Sequence, residues 1–330
     1  MSRSALLERW LTERFGPASY TYAPASEDAS FRRYFRVSSS GQTFIVMDAP
    51  PDREDCRPFL QVARLFAQAG AHVPAILGEN LDKGFLLLSD LGSRTYLQAL
   101  DRTTAPALYG DANEALIRIQ LASRPGVLPD YDRALLLREL RLFPDWYVAR
   151  HLGVTLTAAQ NETLTAAFEL VLANNLAQPR VYVHRDYHSR NLMVTDPNPG
   201  ILDFQDAVYG PITYDLASLY RDAYIGWEEQ RQLDWLIRYW EKARKVRLPV
   251  NADFSAFYRD FEIMGVQRQI KVLGIFARLF HRDGKSGYLD DMPRVMQYLR
   301  KACERYNDLN PLLRLLDELE HRQPQAGYSF

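Results

Sequence analysis

Residues 184–191 read His-Arg-Asp-Tyr-His-Ser-Arg-Asn, and Asp203 follows twelve positions after Asn191 inside Ile-Leu-Asp-Phe. This is the layout H-R-D-x-x-x-x-N followed by D-F. In it, one carboxylate orients a hydroxyl, while an amide oxygen and a second carboxylate hold a divalent cation against phosphate. The chemistry implied is phosphoryl transfer, in which a protein aligns the nucleophile and neutralises phosphate charge and makes no covalent bond of its own. Asp186 is the expected orienter and base. Asn191 and Asp203 offer the hard oxygen donors that suit Mg²⁺. Read separately, each aspartate could be a loop cap; the joint spacing favours the chemical reading.

Two flanking residues support this loop. His184 begins it, and its imidazole is expected to tether backbone. Asp215, in Gly-Pro-Ile-Thr-Tyr-Asp-Leu-Ala-Ser-Leu, is either the partner of His184 or an acidic residue placed against a helix N-terminus. Three short apolar strands are predicted around the loop, at 181–183, 192–194 and 201–202, the last two joined by the turn Thr-Asp-Pro-Asn-Pro-Gly. They form a small sheet that pins the loop in an otherwise helical half.

The first ninety residues have a different texture. Strand-favouring runs occur at 31–37, 43–47, 73–77 and 85–89, interrupted by one helix at 55–69 and preceded by an amphipathic helix at 4–15. From residue 95 onward, 3.6-residue periodicity dominates, at 104–122, 131–151, 157–177, 213–247, 253–281 and 292–319. The expected fold is α+β with two lobes: a small β-rich lobe at 1–90, a hinge at 89–93, and a larger helical lobe at 94–330.

Bulk properties restrict the partners. The chain has 330 residues, 47% apolar and 25% charged, with 40 basic against 41 acidic residues. That balance provides no global field to draw nucleic acid or an anionic membrane. No stretch reaches the roughly 18 apolar residues of a membrane span. Cys56 and Cys303 are the only cysteines, as suits reduced thiols in a cytoplasm. A cytoplasmic protein acting on a small molecule, with no obligatory protein partner, is expected.

An anion such as a nucleotide must then be captured locally. The segment Ser-Glu-Asp-Ala-Ser-Phe-Arg-Arg-Tyr-Phe-Arg-Val, ending at Val37, stands where a phosphate-covering hairpin belongs but contains no glycine. The backbone amides of Asp28, Ala29 and Ser30 could meet phosphate, and Arg32 or Arg33 could supply charge. The strand Thr-Phe-Ile-Val-Met-Asp, where a phosphate-binding lysine is expected, has Met47 instead, and Lys83 is the only lysine before residue 242.

With these residues in view, the chain resembles the aminoglycoside phosphotransferase family, small-molecule kinases that share the protein-kinase fold. The segments Ser-Phe-Arg-Arg-Tyr-Phe-Arg, Val-Met-Asp-Ala-Pro-Pro and Gly-Val-Gln-Arg-Gln-Ile-Lys-Val-Leu-Gly-Ile-Phe-Ala-Arg-Leu are similar to a bacterial subgroup of cell-wall recycling kinases. That subgroup contains the anomeric N-acetylmuramate/N-acetylglucosamine kinases. The resemblance, over about residues 5–320, implies ATP as phosphoryl donor, Mg²⁺ as cofactor and an amino sugar as acceptor. It also implies that adenine bonds the backbone around Leu88, Ser89, Asp90 and Leu91, and that the missing lysine is a feature of the subgroup. Only ten residues separate Asp203 from Tyr214, which leaves no room for the activation segment of a protein kinase.

For the acceptor, Arg190, Arg268 and Lys271 are candidate partners of a sugar carboxylate, and Tyr187, Gln205 and Asp206 of sugar hydroxyls. An antibiotic kinase, which would need an acidic acceptor pocket, and a non-catalytic nucleotide- or sugar-binding module are the alternatives.

Overall fold

Short alternating runs form strands here, and apolar residues spaced three and four apart form helices. In chain order the elements are α1 (Arg3–Phe15), β1 (Tyr20–Ser26), β2 (Arg33–Ser39), β3 (Gln42–Asp48), α2 (Arg57–Gln68), β4 (Ile76–Asn80), β5 (Phe85–Ser89), α3 (Tyr96–Ala99), α4 (Ala105–Leu121) and α5 (Arg133–Leu140). A π-helix, Phe143–His151, comes next. It is followed by α6 (Ala158–Ala177), β6 (Arg180–Val183), β7 (Leu192–Met193), β8 (Gly200–Ile201), β9 (Val208–Pro211), α7 (Tyr214–Tyr220), α8 (Glu229–Lys245), α9 (Phe254–Asp283), α10 (Met292–Arg305) and α11 (Asn310–Leu319). This computed structural model describes residues 2–26 and 32–321. It divides into two compact units, 1–119 with 191–206, and 120–190 with 207–330.

In the first unit an antiparallel sheet runs β1-β2-β3-β5-β4. Ser2 caps α1, its Oγ accepting the Ala5 N–H at 3.3 Å. One stripe of that helix, Leu7, Trp10 and Leu11, packs on Val37, Val46, Phe85 and Leu87, whose period of two places them on one sheet face. Helix α2 presents Phe59 and Phe66 to Phe204, with ring centroids 4.8 and 6.1 Å apart, so the Asp203-Phe204 pair is anchored by packing. Gly84, at φ 65°, closes the β4–β5 turn where an added Cβ would lie 1.8 Å from the Ala49 carbonyl oxygen; no other residue fits. Residues 89–93 lie inside this unit, because Arg36 of β2 holds Asp90 with bonds of 2.6 and 3.0 Å.

In the second unit, α9 is the central element, thirty residues long and buried through most of its middle. Gly274 lets it pass against the backbone of Leu142 at the entrance to the π-helix; a Cβ there would meet the Leu142 carbonyl carbon at 2.4 Å. Asp132, Thr157 and Asp253 cap α5, α6 and α9.

Several expectations are corrected. The single helix expected at 131–151 is α5 followed by the π-helix, with Pro144 in the first turn of the latter. The helix expected at 213–247 is α7 and α8, separated by 221–228, and 292–319 breaks at Tyr306 before α11, which has Pro311 in its first turn. The strand expected from 73 begins at Ile76, after Pro74, which has no N–H to give to a ladder. The expected small sheet is two ribbons: β7 pairs with β8 in the first unit, and β6 pairs with the unforeseen β9 in the second. Strand β1, also unforeseen, carries Pro24 at the edge of the large sheet, where a missing N–H is tolerated.

Candidate active site

In the second unit the loop after β6 is gripped through its backbone. Asp215, in the first turn of α7, accepts the N–H of His184 at 2.7 Å on one oxygen and that of Arg185 at 3.0 Å on the other. His184 is fully buried, and its Nδ1 accepts the Asp186 N–H at 3.2 Å. Arg185 takes φ 79°, a left-handed conformation uncommon for a residue with a long side chain, and the Asp215 bonds hold it there. Burial pushes the Asp215 carboxyl up to about 7, against the pull of its two N–H donors.

Arg185 reaches inward to Glu139 of α5. The same buried carboxylate accepts from the Tyr131 hydroxyl, from the Gln267 amide at 3.1 Å and from Lys271, whose Nζ lies 3.1 Å away. Lys271 also donates to the Tyr214 hydroxyl at 2.9 Å. Burial alone would raise the pKa of Glu139, but Lys271 and Arg185 outweigh it and keep the carboxylate ionised. Asp186 follows the same pattern. Burial raises its pKa, the charges of Lys271, His188, Arg185 and Arg268 together overcome that, and it is held below the ordinary aspartate value. Lys271, expected at an acceptor carboxylate, is thus committed to the interior. Arg268 is likewise buried, its Nη1 3.5 Å from the Arg221 carbonyl oxygen. Tyr187 is fully buried, edge-on to His184. Arg190 alone of the expected carboxylate partners is exposed.

In the first unit, Asn191 Nδ2 lies 3.3 Å from Asp203 Oδ2, and the Asn191 carbonyl accepts the Leu202 N–H at 2.9 Å, which keeps the two side chains together. Asp203 takes φ 61°, a second left-handed position at a non-glycine residue. Gln205, expected to meet acceptor hydroxyls, donates its Nε2 to Asp203 Oδ1 at 2.7 Å; Asp206 is exposed. An amide oxygen and a carboxylate, both hard donors, suit Mg²⁺, which keeps water and phosphate oxygens as its remaining ligands. Asn191 and Asp203 could hold that ion, with Gln205 orienting the carboxylate from behind.

The segments expected at a nucleotide are differently occupied. Asp28, Ala29 and Ser30 lie outside the described residues. Arg32 is half-buried, and Arg33 pairs with the fully buried Asp48, which Arg3 also bonds at 2.6 Å. Met47, at the position expected for lysine, is buried in β3. Leu88 is buried at the end of β5, Ser89 bonds both ways with Ala75, and the Asp90 carboxylate belongs to Arg36. Leu91 packs beside Gly200.

Residues 21–250 match the phosphotransferase enzyme family. The chain belongs to that family. Among curated relatives, a protein of Pseudomonas aeruginosa named N-acetylmuramate/N-acetylglucosamine kinase is 52% identical over 319 residues, 96% of this chain and 94% of that protein. A protein of Neisseria meningitidis with the same name is 48% identical over 336 residues, covering both chains fully. One from Pseudomonas putida is 51% identical over 90% of this chain and 87% of its own. Among solved structures, the aminoglycoside phosphotransferase APH(2'')-Ib bound to ADP superposes with TM-score 0.61 at 17% identity, covering 89% of this chain and 97% of that one. An ethanolamine kinase of Plasmodium vivax gives 0.63 at 11% identity, covering 89% and 86%. These likenesses establish the expected two-part α+β fold of kinase type. Membership makes the chain a phosphotransferase, with ATP as its phosphoryl donor.

Sequence reasoning passed over Glu139, Asp222 and His188. Glu139 is spaced like a surface residue of an amphipathic helix, and only tertiary packing shows its four donors. Asp222, which accepts the Ser189 N–H at 2.9 Å, carries no local signal. His188 was visible as the second histidine of the loop.

Proposed function

We propose that this protein uses ATP to phosphorylate the anomeric hydroxyl of N-acetylmuramate and N-acetylglucosamine, giving sugar 1-phosphates during cell-wall recycling in the cytoplasm. The observation that carries this reading is identity of about half over nearly the whole chain to proteins bearing that substrate pair in their name. The half-buried, ionised Asp186 supports it.

Asp186 orients the acceptor hydroxyl and takes its proton as the oxygen attacks the γ-phosphorus, with ADP leaving. The ring oxygen makes an anomeric hydroxyl more acidic than the others, so a carboxylate of low basicity is a competent base there. Mg²⁺, held by Asn191 and Asp203, would neutralise charge on the phosphates. Asp215 and His184 fix the loop, Glu139 with Lys271 holds Arg185, and the backbone of 88–91 would receive the adenine edge. No helix among the described residues is long and apolar enough to cross a membrane.

Incubation with Mg-ATP and either sugar, followed by phosphorus and proton NMR of the product, tests the reading. The expected product shows phosphate coupled to the anomeric proton. Phosphate on the 6-hydroxyl would discard the anomeric assignment, and no transfer to either sugar would discard the acceptor.

A further inference from the structure

Arg190 ends the loop that carries Asp186, and its guanidinium carbon stacks 3.5 Å over the ring centroid of Tyr224, with Tyr288 5.7 Å away. Its N–H groups make no hydrogen bond among the described residues. The Asp291 carboxylate approaches only to 3.8 Å and is already bonded by Arg294 at 3.2 Å. A second observation lies on the same ring. His188 sits edge-on to Tyr224 with centroids 5.3 Å apart, more than nine-tenths buried, and its Nδ1 has no partner. The neighbouring Asp222 is engaged by the N–H groups of Ser189 and Tyr224, both at 2.9 Å. An aromatic platform therefore fixes a guanidinium that makes no hydrogen bond among the described residues, beside an imidazole whose Nδ1 is unpaired.

A planar guanidinium held by stacking matches a carboxylate with two parallel bonds, which an ammonium does not. The two sugars named for the relatives differ in one respect: N-acetylmuramate carries a lactyl ether with a carboxylate, and N-acetylglucosamine has a hydroxyl in its place. We infer that Arg190, stacked on Tyr224, receives the carboxylate of an acidic amino-sugar acceptor and so sets the preference for the acidic over the neutral sugar. This rests on the function proposed above. Asp186 and Arg190 are four positions apart, at most about 14 Å of chain, so one small acceptor can meet both.

The test is steady-state turnover of both sugars, with titration of each into the protein, for wild type, Arg190→Ala, Arg190→Lys and Tyr224→Leu. The expected result for Arg190→Ala is a fall of at least ten-fold in the ratio of kcat/KM for N-acetylmuramate to that for N-acetylglucosamine, carried mainly by KM. Arg190→Lys and Tyr224→Leu should give smaller falls of the same sign. Measurable turnover of N-acetylglucosamine shows that each variant is folded. A ratio changed less than two-fold in Arg190→Ala overturns the inference and leaves the proposed function intact. A wild-type protein that phosphorylates N-acetylglucosamine but neither binds nor phosphorylates N-acetylmuramate also overturns the inference, and it removes the acidic sugar from the proposed function. A wild type that phosphorylates neither sugar overturns both readings.

Discussion

Lys271 Nζ lies 3.1 Å from Glu139 Oε1, and the same carboxylate oxygen bonds Arg185, the residue immediately before Asp186. One buried acid thereby neutralises two cations that in turn hold the candidate base ionised. Removing it leaves both charges buried and uncompensated, which typically costs about 3–5 kcal/mol. Glu139→Ala should lose that much stability in chemical denaturation. Glu139→Gln, which keeps one acceptor oxygen, should lose less.

If Asp186 takes the hydroxyl proton, Asp186→Asn should lower kcat by about 10²–10⁴-fold, the usual share of a general base. Calorimetric titration with Mg-ATP should show nucleotide binding retained. Turnover within a few-fold of wild type would remove Asp186 from the mechanism.

Two aspartates should respond to pH in opposite senses. Asp186 is depressed, so its contribution to stability is complete above the unfolded value near 3.9 and lost only as pH falls through its lower folded value. Rate profiles between pH 5 and 8 should therefore show no inflection from this group. Asp215 is raised to about 7, so its contribution is complete below about pH 4 and lost as pH rises toward 7. Melting temperature plotted against pH should fall through this window in wild type and flatten in Asp215→Asn. The same variant should turn over more slowly, because an amide has one acceptor oxygen for the two loop N–H groups.

Gln205 bonds Asp203 from behind, at 2.7 Å. Partners of this kind typically change metal affinity 10–100-fold. Gln205→Ala should raise the Mg²⁺ concentration for half-maximal rate by at least ten-fold, with little change in KM for the acceptor if the side chain serves the ion and not the sugar.

How much of this was legible depended on whether a function is local in sequence. His184, Asp186, Asn191 and Asp203 announce themselves because loop chemistry fixes their spacing. Strand β5 and helices α2, α4 and α6 followed from period and bounding residues. Glu139 was invisible because its partners come from the loop, from the segment before α5 and from α9, more than a hundred residues away in sequence. Lys271 and Arg268, one turn apart, offered candidate partners for a sugar carboxylate, whereas the burial of α9 turned both inward. Strand β9 is too short to show a period, and its pairing with β6 is a property of the folded chain.

Met47 is buried in the strand where an amine was expected, and Lys83 sits in the turn between β4 and β5. Reagents that tag nucleotide-binding enzymes by acylating a lysine beside the phosphates would find no nucleophile on β3. A survey of a proteome that depends on a lysine of that strand would pass over this enzyme even when it is abundant and active.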